Sequence, residues 1–127
     1  MPTTEELTEM GAFNKQMQDA GVMLAGDGFL ASSKGARINF SEGSEPTVKR
    51  GPFELENLVA GYWLLKLDSI EHVIEWAKKI PFKKGSVEIR RVAGLEDFGD
   101  AMTEELKQQE DEMKKKQEEL RKDEINH

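Results

Sequence analysis

Leu7, Met10, Phe13 and Met17 recur at three- and four-residue spacing, which lays one apolar stripe along a helix. Thr3 with Glu6 forms a capping box at its start, and Thr4 is an alternative N-cap. Ala20-Gly21 ends the helix, because glycine takes the left-handed position after the last turn without a Cβ clash. A Met and Phe stripe of this kind reads as core. Val22–Ala25 follows as a short buried strand, Gly26-Asp27-Gly28 as a bend, and Phe29-Leu30 as resumed extended chain. Ser32–Gly35 is a polar turn. Arg37–Phe40 alternates polar and apolar, as a half-buried strand does, and Thr47–Arg50 is the return arm of a hairpin.

Val59–Leu67, rich in aromatic and branched residues, is the strongest strand signal in the chain. Asp68 is expected to cap a second helix with Glu71 completing the box; Ile70, Val73, Ile74 and Ala77 point inward and Trp76 sits at the margin. Pro81 stops that helix by Ile80, since the residue before proline avoids helical geometry. Ser86–Val92 alternates again, Val87 and Ile89 against Glu88 and Arg90, and reads as a strand. From Met102 to Ile125 the pattern is helical and highly charged. Leu106, Met113 and Leu120 recur every seven residues, but the companion heptad positions are polar, which gives half a coiled-coil seam and an exposed helix.

At 127 residues the chain suits one domain. Residues 1–100 carry the α+β fold and residues 101–127 a charged C-terminal helix or tail. The net charge of −7 disfavours a nucleic-acid partner, because phosphates repel the chain unless its basic residues segregate on one face. The absence of cysteine removes disulfides, thiolate catalysis and Cys-ligated zinc. An acidic N-terminus and the lack of any apolar run near ~20 residues argue against a signal peptide and a membrane span. The expectation is a cytoplasmic protein without a membrane partner.

The order helix, strand, hairpin, strand, helix, strand is that of a ferredoxin-like βαββαβ unit lacking its usual first strand. Leu30–Phe40, Arg50-Gly51-Pro52-Phe53, Ala60-Gly61-Tyr62-Trp63, Ile74–Ala77 before Pro81, and Val87–Arg90 resemble the YCII-related family in its DGPF branch. The resemblance covers roughly residues 4–106 and implies a homodimer of the dimeric α+β barrel type, with two ferredoxin-like sheets around a cleft. Two departures stand out. The first apolar strand of the family is missing, and the Asp-Gly-Pro-Phe motif reads Arg50-Gly51-Pro52-Phe53. Leu55, Asn57 and Leu58 likewise replace charged positions. Some relatives are thought to use a His–Asp couple, but here the aspartate is Arg50 and the only histidines are His72 and His127. That couple does not carry over.

Other chemistry is thinner. Ser32-Ser33 has no neighbouring histidine to act as base. Asp27 and Glu54 are lone loop carboxylates, and no His, Asp or Glu spacing resembles a metal site. No catalytic residue, metal ligand or cofactor is therefore assigned. What remains is a possible anion pocket, with Ser32, Ser33, Lys34, Arg37, Arg50 and Tyr62 as the candidate ligand-binding residues. The competing reading is that these basic residues only offset an acidic surface. Trp63, the neighbour of Tyr62, faces the other side of the sheet and is expected to pack in the core. Three functions stay open. They are a non-catalytic small-ligand-binding or regulatory dimer, an isomerase- or lyase-like enzyme on small acidic metabolites, and a protein-interaction module using the C-terminal helix.

Overall fold

The computed structural model describes residues 2–55 and 58–125. Its chain divides into two compact units, Met1–Ile89 and Arg90–His127. The first unit contains α1 (Thr4–Asp19), β1 (Met23–Gly28), β2 (Ala36–Asn39), β3 (Thr47–Arg50), β4 (Gly61–Leu65) and α2 (Ile70–Ala77). A one-turn 3-10 segment, Ser32–Lys34, precedes β2. The second unit holds a 3-10 stretch, Leu95–Ala101, and α3 (Glu104–Ile125). The class is α+β, as the pattern predicts.

Helix α1 begins as expected: the Thr3 side chain accepts the Glu6 amide at 3.1 Å. Its end is a Schellman motif built on Gly21, whose φ of +75° suits a residue without Cβ. The Gly21 amide donates to the Gln18 carbonyl and the Val22 amide to the Met17 carbonyl. This closure folds Val22 back onto Met17, and with Phe13 these form the buried core. Met10, Met23, Trp63, Leu65, Leu67, Trp76 and Ile80 pack around them, half-buried. Along the α1 stripe burial fades toward the N-terminus, from Met17 at 1% exposure to Leu7 at 59%.

β1 and β4 pair antiparallel, with Gly26 opposite Trp63 and Asp27 opposite Tyr62. A bulge at Leu24 sets two residues of β1 against one of β4. Gly26-Asp27-Gly28, expected to bend, instead continues β1, because ladder pairing with β4 outweighs the weak strand preference of glycine. Trp63 packs against Phe13 edge-to-face, and its indole N–H donates to Asn14 Oδ1 at 2.9 Å, so the half-buried ring keeps its donor satisfied.

The second helix is capped by Ser69 rather than Asp68; the Ser69 Oγ accepts the His72 amide. Of the expected inward stripe, Val73 and Ala77 are half-buried beside Trp76, whose ring meets Phe13, while Ile70 and Ile74 are exposed. Ser86–Val92 forms no ladder among the described residues. Its alternation encodes two faces but supplies no hydrogen-bonding partner, and a strand requires both. The sheet is accordingly in two pieces, β1–β4 and β2–β3. In the second unit, the Arg91 guanidinium and the Gly94 amide both donate to the Asp97 carboxylate, which holds its pKa below the usual carboxylate range.

Candidate functional site

The hairpin β2–β3 places most of the candidate residues. Ala36 pairs with Arg50, Arg37 with Lys49, Ile38 with Val48 and Asn39 with Thr47. Directly opposed residues share a face, and successive residues alternate. One face therefore carries Arg37 and Lys49, and the other Arg50 with the apolar pair Ile38 and Val48. Arg37 and Arg50, grouped by sequence reasoning, lie on opposite faces of the hairpin.

The arm leaving β3 is locked to the 3-10 turn that precedes β2. The Gly51 amide donates to the Gly35 carbonyl at 3.0 Å. The Phe53 amide donates to the Ser32 Oγ at 3.0 Å, and both residues are half-buried. Gly51 lies so close to Ser32 that a Cβ added to it would fall 1.9 Å from the Ser32 carbonyl oxygen. The Gly51-Pro52 peptide is cis. Phe53, held in this way, presents its ring to Arg37, whose Cζ lies 4.1 Å from the ring centroid. A guanidinium stacked on an aromatic face loses freedom but keeps its in-plane donors.

Ser32 thus serves the turn as an acceptor. Ser33 and Lys34 sit on the same exposed turn. Tyr62 lies on β4, in the other sheet, where its hydroxyl donates to Asp27 Oδ2 at 2.9 Å and its ring meets Phe29. Asp27 is therefore hydrogen-bonded on a strand, not a loop carboxylate. His72 is exposed on α2. Asn57 and His127 lie outside the described residues. Lys49, opposite Arg37, escaped sequence reasoning, although pairing 36 with 50 across a hairpin fixes 37 against 49.

Two like charges directly opposite on an antiparallel pair repel. Among the described residues no carboxylate pairs with Arg37 or Lys49. A separate hollow of about 280 Å³ lies between α1 and the chain after α2, lined by Glu9, Ala12, Phe13, Gln16, Lys79 and Pro81. None of the candidate residues borders it. Among the described residues no group of three His, Cys, Asp or Glu side chains is arranged to hold a metal ion, and no helix is long and apolar enough to cross a membrane.

Among curated proteins none matches the chain. The profile of the YCII-related domain matches residues 1–96, from α1 through the hairpin, β4 and α2. The chain belongs to the YCII-related family.

Proposed function

We propose that this protein is a non-catalytic, cytoplasmic homodimer of the DGPF branch that binds a small anionic ligand, in a regulatory rather than a metabolic role. The observation that carries the reading is the Arg37–Lys49 pair. Two cations with no carboxylate partner among the described residues stand opposite each other, and one is stacked on Phe53. A carboxylate or phosphate between them would relieve their repulsion and accept hydrogen bonds from both. In this reading Lys34 and Ser33, on the adjoining turn, extend the site, while Arg50, on the opposite face, and Tyr62, in the other sheet, lie outside it.

The dimer rests on the opposite face. Every residue of β2 and β3 is exposed, and Ile38 and Val48 are 55% and 64% accessible. A lone two-stranded hairpin is marginal in water, so an apolar face of this kind needs a cover. In a dimeric barrel of the ferredoxin-like type, a second copy supplies it. One hairpin then offers its apolar face to the partner and its cationic face to the ligand.

Inorganic phosphate tests the reading. At ten times its Kd it should raise the melting temperature by about 5 °C, from a stabilisation of ~1.4 kcal/mol. Lys49→Ala should abolish that rise while melting no lower than the parent without phosphate, since it removes one of two repelling charges. Sodium chloride at equal ionic strength controls for screening. An equal rise in parent and variant would rule out this site.

A further inference from the structure

Strand β4 is paired along one edge only. The Phe29 amide donates to the Ala60 carbonyl and the Lys66 amide to the Val22 carbonyl, so the even-numbered residues from 60 to 66 turn their backbone groups toward β1. The amides and carbonyls of Gly61, Trp63 and Leu65 therefore point the other way. All three residues are half-buried, and these groups meet no backbone partner among the described residues. Polar backbone held away from water calls for a partner. The opposite edge of the sheet receives a strand less well, because its outward positions are Gly26 and Gly28.

A segment with the pattern of a strand but no ladder lies later in the chain. In Ser86–Val92 the apolar Val87 and Ile89 alternate with the charged Glu88 and Arg90. The amides and carbonyls of Val87, Ile89 and Arg91 have no backbone partner among the described residues. One antiparallel register joins the segment to the edge. It sets Val87 against Leu65, Ile89 against Trp63 and Arg91 against Gly61, and each pair exchanges two hydrogen bonds, so every outward group of the edge is satisfied. The apolar matches fall on the helix side of the sheet, where Trp63 packs against Phe13. On the other side Glu88 comes diagonal to Lys66, and Arg90 lies beside Tyr62, whose hydroxyl donates to Asp27. Orientation identifies the source of the strand. Within one chain β4 reaches Ser86 through α2, and a strand that returns through one helix runs parallel. A parallel match of the same apolar residues would set Arg90 directly beside Lys66, two like charges. The antiparallel strand comes from another copy.

We infer that Ser86–Val92 of one copy pairs antiparallel with the β4 edge of a second copy, extending its β1–β4 sheet by one strand. Each chain offers one such edge and one such segment, so the exchange is reciprocal and closes as a two-fold dimer. The contact uses none of the residues on the Ile38 and Val48 face of the hairpin, and it forms whether or not that face is covered.

The chain has no cysteine, so introduced cysteines report the pairing directly. In this register Lys66 stands opposite Ser86, and both are exposed in the single chain. Full-length Lys66→Cys mixed with full-length Ser86→Cys should form a disulfide between chains under mild oxidation, because directly opposed strand residues have the Cα separation a disulfide needs. Lys66→Cys mixed with Arg90→Cys should crosslink at least ~tenfold more slowly, since position 90 lies about 13 Å further along the strand. A chain carrying both Lys66→Cys and Ser86→Cys should give covalent dimers. The bond between 66 and 86 should persist in chains that also carry Val48→Asp, so failure of the hairpin contact leaves this test standing. Faster bonding to position 90 would establish a parallel pair and overturn the inference. So would absence of the bond between chains at 66 and 86, its loss in the Val48→Asp chains, or a disulfide closed within the doubly substituted chain.

Discussion

Gly51→Ala should destabilise the protein by about 3 kcal/mol, a drop of roughly 11 °C in melting temperature, and remove phosphate binding with it. The added Cβ would meet the Ser32 carbonyl oxygen at 1.9 Å, and that oxygen is backbone that already accepts the Gly35 amide. No flexible side chain is available to give way, so the arm from β3 must part from the 3-10 turn. Parting them breaks the Gly51 bond to Gly35 and the Phe53 bond to Ser32, and Arg37 loses the ring it stacks on. Gly35→Ala is the control: its Cβ would stand 3.6 Å from the same oxygen, an ordinary contact. Thermal melting of the two variants decides the matter, and equal losses would show that the close approach is not what fixes the turn.

Met17→Ala should cost about 3 kcal/mol, within the range for truncating a buried methionine. Met17 is 1% exposed, and its carbonyl also accepts the Val22 amide in the closure of α1. Met17 sits with Phe13 and Val22 at the centre of the core, with half-buried residues such as Met10, Trp63 and Leu65 packed around them, so its truncation opens a cavity that these neighbours fill only in part. Leu7→Ala, on the same apolar stripe but 59% exposed, should cost under ~1 kcal/mol. Chemical denaturation of both variants checks the contrast. Similar losses would mean that Leu7 is covered in solution.

The elements that came through from the sequence are those with local signals. The Thr3 cap and the glycine closure after α1 depend on residues within a few positions of each other, and the hairpin arms on pairs that a short loop brings together. What the sequence hid depends on partners far along the chain. Gly26-Asp27-Gly28 looks like a bend until β4 lies beside it, and Ser86–Val92 looks like a strand until a ladder is sought for it. The site followed the same rule. Basic residues near the turn were legible, but their division between two faces follows from register alone. That register separates Arg37 from Arg50 and brings Lys49 into view. The contribution of Asn14, which accepts the Trp63 indole N–H across 49 positions, has no sequence signal at all.

Amide hydrogen exchange across Ala36–Arg50 tests most directly whether a second copy completes this fold. A hairpin covered on its Ile38 and Val48 face should retain its hydrogen bonds and exchange about 100-fold more slowly than an unfolded chain. Val48→Asp, which sets a carboxylate in that face, should return the hairpin amides toward unfolded rates while those of α1 stay protected. Rapid exchange throughout the hairpin of the parent protein would mean that its apolar face stands uncovered in solution, and would contradict the account.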